Sequence, residues 1–271
     1  MSTAQKIIKY CAEAFALFLA VTIISSVVIA GYKILSTVGL ITTENENMET
    51  KIISKQDDKI VSLKININNT NVEIKEGSKL EVSTNNNDLI YENEEGNIDI
   101  TDKGLNVYNA ANNYELIITI PTETILTSTD MTIGAGKITI DALNSDKLFM
   151  DLGASKTTID NLIVTKYAKV NGGAGKITIK NGELNNADLD LGVGKSDITC
   201  DITGDSSIDT GVGALKLNLL RAKEDYTFII EKGVGSITFN GENIDDDVAI
   251  GSGINTLEIE AGVGKVEINN K

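Results

Sequence analysis

The chain has 271 residues, a net charge of −15, no histidine and one proline, and aromatic residues make up 4% of it. The lack of histidine excludes Ser-His-Asp and Cys-His catalytic arrangements and His-based zinc sites. So negative a chain repels phosphate backbones, which argues against nucleic-acid binding. Scarce aromatics and abundant small β-branched residues suit thin stacked β-coils better than a sandwich built on large rings.

The N-terminal segment is predicted to be a single-pass membrane anchor. Residues 1–11 carry Lys6 and Lys9 and form the predicted cytoplasmic tail, and residues 12–41 form the predicted transmembrane helix. Its uncharged stretch, residues 14–32, would span about 28 Å as a helix, close to the ~30 Å hydrocarbon core. Lysines before the apolar run favour a cytoplasmic N-terminus and an extracytoplasmic remainder, with the protein in the cytoplasmic membrane. A cleaved signal peptide is the alternative.

The two cysteines are expected to lie on opposite sides of the membrane. Cys11 begins the apolar segment and Cys200 lies far along the chain. We therefore expect no disulfide between them. Cys11 has two readings, an unmodified thiol or a palmitoylated one.

Residues 42–58 are polar and acidic and are predicted to be a stalk. Residues 59–128 alternate apolar and polar positions and are predicted to be an N-terminal β portion that caps the edge of the first regular coil. Within it, residues 71–77 and 79–83 are expected to form a hairpin. Pro121 is expected to end a strand, because proline cannot donate to a ladder.

Residues 129–271 are built on a Gly-x-Gly phrase that recurs seven times. The steps between the leading glycines are 19, 20, 19, 19, 22 and 29 residues. A period near twenty is typical of a solenoid, in which each coil buries its apolar face by stacking on its neighbours. We therefore predict an all-β fold, a β-solenoid or β-roll of about seven coils of 19–20 residues behind an N-terminal transmembrane helix. The predicted corner glycines are Gly134, Gly136, Gly153, Gly173, Gly175, Gly192, Gly194, Gly211, Gly213, Gly233, Gly235, Gly262 and Gly264.

The apolar pattern slips by one residue at each corner. Apolar residues lie three and one positions before the first glycine, and the Ala or Val one position after it is expected on the same face. Beyond the second glycine the apolar positions are four and six after the first. A residue with positive φ absorbs such a slip, and we expect it at Gly175 and Gly194. Ser155 occupies the matching position of the second coil, which should therefore tolerate a side chain best. Equivalent strands should stack in parallel at about 4.8 Å.

The last step of 29 residues contains an inserted acidic loop at residues 240–247. The loop is short and polar, so we expect it to leave the final edge partly uncovered. The last strand, residues 265–268, is then expected to be an exposed edge that associates with a second copy or with a partner's strand.

Charged residues form two columns beside the corners, and both are predicted to face outward. Two positions before the first glycine lie the residues of the acidic strip, Asp151, Asp190, Asp209, Glu231 and Glu260. Three positions after it lie the residues of the lysine column, Lys137, Lys156, Lys176, Lys195 and Lys265. The columns are either a solvated face or a polyvalent binding strip for cations or cationic peptides. Since Ala214 and Ser236 interrupt the lysines, the C-terminal half should be more negative.

Metal, phosphate and catalytic sites are not predicted. Residues 245–247 are three aspartates that could hold calcium in a flexible loop, although no EF-hand or nonapeptide calcium repeat is present. No Gly-x-Gly phrase leads into a helix or carries a Walker Lys-Ser/Thr, so a phosphate cradle is rejected. No polar cluster breaks the repeat as a catalytic site would. A carbohydrate-active enzyme stays open as an alternative.

Taken together, these features resemble the bacterial putative-adhesin family. The resemblance covers about residues 52–270 and rests on Leu63-x-Ile-(x)5-Val72-x-Ile-x-x-Gly77, the Ile-x-Ile-Pro121 entry, the Gly-(Ala/Val)-Gly phrases and the run from Ile250 to Gly264. It implies a membrane-anchored, toast-rack-like β-solenoid. It supplies no catalytic, cofactor or metal residues. The function we expect is non-enzymatic display of an extracytoplasmic scaffold, sensor part or adhesin-like surface, with an envelope protein or another surface as partner.

Overall fold

The computed structural model of the protein describes residues 50–56, 59–103 and 114–270. In these ranges the regular elements are β-strands and one 3-10 helix at Lys223–Asp225. The expectation of an all-β fold is confirmed for this part of the chain.

The predicted tail and transmembrane helix, residues 1–41, lie outside the described residues, and so does Cys11. Within the described ranges, no helix has the length and apolar character needed to cross a bilayer. Residues 51–56, expected in the stalk, form a strand instead.

The N-terminal strands are β1 (Lys51–Gln56), β2 (Ser62–Asn69), β3 (Asn71–Gly77), β4 (Leu80–Thr84), β5 (Leu89–Glu94), β6 (Asn97–Asp102) and β7 (Glu115–Pro121). The middle strands are β8 (Ser128–Ile179), β9 (Gly182–Asn185), β10 (Ala187–Asp190), β11 (Val193–Thr203), β12 (Asp205–Asp209) and β13 (Val212–Leu219). The last strands are β14 (Tyr226–Glu231), β15 (Val234–Phe239), β16 (Glu242–Ile244), β17 (Val248–Gly251), β18 (Asn255–Glu260) and β19 (Val263–Asn270). β8 is long because it runs without interruption through three successive turns of the repeat.

The strands form two long ladders that meet at the glycine corners. The ladder before the corner runs β5, β6, β2, β8, β10, β12, β18, β14, β17. The ladder after the corner runs β1, β4, β7, β3, β8, β11, β13, β19, β15, β16. Pairings between repeats are parallel and in register, so equivalent residues of neighbouring repeats lie side by side. We call one repeat's contribution to both ladders a rung.

A short third ladder joins the middle rungs. β8 pairs with β9, and β9 pairs with β11, both in parallel, so that Val164, Leu184 and Ile202 lie side by side. Arg221 lies at its end, with guanidinium nitrogens 3.4 Å from a carboxylate oxygen of Asp201 and 3.6 Å from one of Glu183. This ladder gives the middle of the molecule a third wall.

The core lies between the walls and is made of stacked apolar columns. Strict alternation sends every second side chain inward, as in β2, where Leu63, Ile65 and Ile67 are buried and their neighbours are not. The column three positions before the first glycine is buried throughout. In spatial order it is Met131, Met150, Val170, Leu189, Ile208, Ile259 and Ile230. Each fully buried side chain of this size contributes about 1.5–3 kcal/mol.

The rungs do not stack in chain order at either end of the ladders. β18 and β19 insert between the rung of β12 and β13 and the rung of β14 and β15. Likewise β2 and β3 insert between β8 and the rung of β6 and β7. The expectation that β19 is an exposed edge strand is therefore wrong, because it has a parallel partner on both sides. Strand addition at residues 265–268 is excluded on the same ground.

Each outermost rung is covered by antiparallel strands from an insertion. At one end β16 pairs with β15, and β17 pairs with β14. At the other end β4 pairs with β7, and β5 pairs with β6. The expected incomplete cover of the last rung is confirmed, because β16 pairs with only residues 237–239 of β15. Ile244, Val248 and Ile250 nevertheless pack against the core from the insertion. The short acidic loop belongs to a longer hairpin whose apolar residues make this cap.

The expected hairpin of residues 71–77 with 79–83 is not formed. β3 pairs in parallel with β7, and β4 pairs antiparallel with β7 on its other side. β7 therefore separates the two strands. Pro121 ends β7 opposite Gly77, as expected of a residue that cannot donate to a ladder.

The second glycine of the corner phrase has positive φ, as expected at Gly175 and Gly194, although the slip in the burial pattern falls at the first glycine. The values are 149° at Gly175 and 147° at Gly194, and the equivalent glycines of the other rungs lie between 144° and 146°. A Cβ at Gly194 would overlap the carbonyl oxygen of Gly175, and one at Gly175 would overlap that of Ser155. Neither the conformation nor the space admits a side chain. Ser155 itself does not have positive φ.

We expect Gly194→Ala to destabilise the fold by about 1–3 kcal/mol, because it places a Cβ at positive φ against the neighbouring backbone. Ser155→Ala is the matched control: its Cβ is already accommodated and it loses only the 3.2 Å contact between the Ser155 and Thr157 hydroxyls. It should cost about 1 kcal/mol, because one buried hydroxyl contact is lost and no backbone strain is added. Chemical denaturation of both variants measures the difference. Equal losses would contradict a strained corner.

We expect Ile250→Asp to loosen the cap, because Ile250 packs against the core from β17. The uncovered β14 edge would then pair with other chains. Thermal unfolding should shift to lower temperature, and light scattering should show association. Ala249→Asp is the control, since Ala249 is exposed on the same strand and the change should leave both measurements unaltered. A stable, monomeric Ile250→Asp protein would show that the cap is dispensable.

Candidate functional site

The acidic strip forms a row of adjacent carboxylates on the outside of the molecule. All five of its residues are exposed. Asp190 lies opposite Asp209, Asp209 opposite Glu260, and Glu260 opposite Glu231. Four acids therefore occupy four consecutive rungs at the strand spacing of about 4.8 Å. Asp151 is separate, because Asn171 occupies the rung between it and Asp190.

Glu260 is the member of this row under the greatest repulsion. The charge of Asp209, aided by partial burial and by Glu231 and Glu258, raises the pKa of the Glu260 carboxyl above its usual value. Like charges directly opposite each other destabilise a sheet. The insertion of β18 between β12 and β14 creates this crowding, since it places Glu260 between two acids.

Two of the acids also stabilise the corner. Asp190 Oδ1 accepts a hydrogen bond from the backbone N–H of Gly192, and Asp209 Oδ1 accepts one from Gly211, both at 3.0 Å. Gly192 and Gly211 have φ of 57° and 50°. Short aspartate side chains thus close local turns that glutamate cannot close in the same way. Sequence reasoning missed this role, although the Asp-x-Gly spacing carries the signal.

The lysine column lies on the other side of the corner. Lys176, Lys195, Ala214, Lys265 and Ser236 follow one another across the rungs. Among the described residues, no ion pair within 4.0 Å joins this column to the acidic strip. Lys265 instead contacts Glu267 on its own strand. The repulsion within the strip is therefore not relieved inside the described part of the chain.

An apolar ridge lies between the two columns. The residues one position after the first glycine are stacked in the order Val193, Val212, Val263 and Val234. Their exposed fractions are 52%, 40%, 39% and 45%. The expectation that these positions share the buried face is wrong, because the slip in the pattern falls at the first glycine. We call these four residues the valine ridge.

Two of the three aspartates of the inserted loop, Asp245 and Asp247, contact Lys232. The backbone N–H of Lys232 donates to Asp247 Oδ1, and its ammonium donates to the Asp245 carbonyl, both at 2.8 Å. The same ammonium lies 3.8 Å from Asp245 Oδ1. These contacts tie the cap to the end of β14. Nowhere in the described ranges do three or more Cys, Asp or Glu side chains gather as metal ligands would.

Cys200 is a free thiol in the core of β11. Burial, with a smaller contribution from the charge of Asp201, raises the pKa of this thiol to about 12. The thiolate needed for nucleophilic chemistry is therefore scarce at neutral pH.

We expect Asp209→Asn to lower the pKa of Glu260, because Asp209 is the largest cause of its elevation. The amide oxygen introduced at this position would still accept from Gly211, so the turn should survive. Carboxyl-carbon NMR titration measures the shift. Asp151→Asn, four rungs from Glu260, is the control and should leave the Glu260 titration unchanged. An unaltered Glu260 titration in Asp209→Asn would contradict the assigned cause.

Several solved structures are similar to the chain at low identity. A putative cell adhesion protein from Clostridium sporogenes is 18% identical, and the match covers 82% of this chain and 98% of that one with a TM-score of 0.32. A putative adhesin from Bacteroides fragilis is 15% identical, with coverage of 83% and 98% and a TM-score of 0.48. A putative lipid binding protein from Parabacteroides distasonis is 15% identical, with coverage of 82% and 96% and a TM-score of 0.33.

A search of curated proteins finds no match to the chain. The family comparison is specific: the Toastrack DUF4097 family matches residues 37–269. That range contains every described strand up to the penultimate residue of β19. By this match over most of its length, the chain belongs to the Toastrack DUF4097 family.

Proposed function

We propose that this protein is a non-enzymatic, single-pass envelope protein that displays a seven-coil β-solenoid outside the cytoplasmic membrane for interaction with a protein or a surface. Its work would be that of an adhesin-like scaffold or a sensor part. Residues 12–41 would be the anchor, with residues 1–11 in the cytoplasm.

The observation that carries this proposal is the repeated outer face at the glycine corners. The valine ridge and the acidic strip extend in register over four rungs. A surface of this kind offers many equivalent contacts along one line, as repeat proteins do when they bind partners. Exposed apolar residues bordered by charge are typical of interaction surfaces.

A second candidate function is an acidic module that captures cations or cationic peptides at the membrane surface. The crowding of Glu260 by Asp209 and Glu231 favours it, because a bound cation would relieve the repulsion. Binding of a lysine-rich peptide to the full-length protein that is abolished near about 0.5 M salt would support this function. Binding that persists at high salt would contradict it.

The topology is tested by protease treatment of intact protoplasts that carry the full-length protein with an N-terminal epitope. We expect the repeats to be removed and a small epitope-bearing fragment to stay in the membrane fraction, because Lys6 and Lys9 favour a cytoplasmic N-terminus. Lysed protoplasts are the control, in which the epitope should also be lost. Protected repeats would overturn the orientation, and a repeat fragment free of the membrane before protease would indicate a cleaved signal peptide.

A further inference from the structure

The corner carries three parallel rows whose order across the surface matters for association. The acidic strip lies on one side, the valine ridge in the middle and the lysine column on the other. The side chains of the three rows are exposed: the valine ridge and the charged residues Asp190, Asp209, Glu231, Glu260, Lys195 and Lys265. On the two rungs that carry all three, the acid lies three residues before the valine and the lysine two residues after it, as in Asp190, Val193 and Lys195.

We propose that the valine ridge is a self-association surface at which a second copy of this chain packs in parallel, with the two-fold axis running along the ridge. This inference rests on the proposed function in treating the exposed repeat face as an interaction surface, and it names the partner. We infer that the partner is a second copy because the surface is complementary in charge to itself: acids lie on one side of the valines and lysines on the other.

The symmetry argument is independent of the detailed shape of the rungs. A two-fold axis along the ridge exchanges left and right but keeps the direction of stacking. The acidic side of one copy then faces the lysine side of the other, rung against the same rung. An axis across the ridge would reverse the stacking and bring acids against acids. Charge therefore selects the parallel arrangement.

The pairing follows rung by rung. Glu260 of one copy faces Lys265 of the other, and Asp190 faces Lys195. Asp209 and Glu231 face Ala214 and Ser236, and lie one rung from a lysine of the second copy, within reach of its long side chain.

Such contacts would supply the cations that the acidic strip lacks within the described part of its own chain. Lys265 already contacts Glu267, and its side chain is 57% exposed, so its ammonium can serve both carboxylates. Lys195 has no carboxylate within 4.0 Å among the described residues.

The apolar part of the contact is equally self-complementary. A two-fold axis along the ridge places Val212 beside Val212 and Val263 beside Val263. Burying four exposed valines from each copy removes apolar surface from water. The glycines on either side have no side chains to hold the copies apart. The area is small and the net charge of −15 opposes association, so the dimer should be weak in dilute solution. Confinement to one membrane would raise its population.

Site-directed cross-linking of the full-length protein tests the geometry. In a Cys11→Ser background, Val193→Cys and Val234→Cys should each form disulfide-linked homodimers on mild oxidation, because the axis brings identical residues together. An antiparallel dimer would link the two variants only when they are mixed, since it brings opposite ends of the ridge together. Ala222→Cys is the control, because Ala222 is exposed beyond the far end of β13, and it should not cross-link. The buried Cys200 stays in place.

Charge reversal tests the pairing between chains. Glu260→Lys alone and Lys265→Glu alone each put like charges opposite one another, and each should weaken cross-linking at Val193→Cys about tenfold. Mixed in equal amounts, the two variants should regain the original yield as heterodimers, because every reversed residue then meets its opposite. Thermal unfolding of each variant verifies that the fold is kept.

The outcomes separate this inference from the proposed function. Cross-links at identical ridge positions with recovery on mixing support the parallel dimer. Three outcomes would overturn the parallel dimer. The chain stays monomeric in the membrane, it cross-links only between different ridge positions, or it captures a lysine-rich peptide at the ridge in place of a second copy. If the repeats are nevertheless cleaved by protease outside intact protoplasts, the proposed display function survives without the dimer. Protected repeats would instead refute the display function.

Discussion

The structure depends on the close approach of backbones at the second glycine of the corner phrase, which is present in every corner but that of Ser155. There the Cα of one rung lies so near the carbonyl of the next that no Cβ fits. This contact holds neighbouring corners in one register, and the parallel ladders extend that register outward on both sides. A residue of one rung consequently lies beside its equivalent in the next, whatever its chemical character.

Stacking equivalent residues of neighbouring rungs has different consequences for apolar, amide and carboxylate side chains. Apolar columns merge into a continuous core. Neutral amides can bond along the column, as Asn218 does when it donates to Thr199 and accepts from Asn269. Carboxylates can only accept, so Asp209, Glu260 and Glu231 repel. The acidic strip is thus costly in an isolated chain, whereas an amide column is not. A partner that relieves this repulsion would therefore be expected at the acidic strip and not at the amide columns.

Local properties of this fold could be predicted from sequence, and the choice of neighbours could not. The glycine period and the alternation of apolar residues are set by short-range geometry, and they predicted the strands, the parallel register and the positive φ at Gly175 and Gly194. Rung order is different, because the rungs are nearly equivalent. Val234 could stack directly on Val212 with the same pattern, so the insertion of Val263 between them leaves no local signal in the sequence.

Some features of the candidate site could likewise be predicted from the sequence, and others could not. The outward acids and the greater negative charge of the C-terminal half follow from position in the repeat. The exposure of the valine ridge was missed, because a valine between two glycines fits a buried strand as well as an exposed corner. The two cases differ only in where the one-residue slip in the burial pattern falls, at the first glycine or at the second. The cap was missed since its apolar residues are spread over a hairpin longer than the acidic loop.

The interior position of the last strands makes the order of assembly matter. During synthesis, β14 and β15 emerge before β18 and β19, and the rung of β12 and β13 is then free to accept them. That premature stack would resemble the final one, with Val234 lying on Val212. The completed chain must open or avoid it before β18 and β19 can enter. The topology thus allows a competing stack of near-identical rungs, and the final order of strands can form only after β18 and β19 are available.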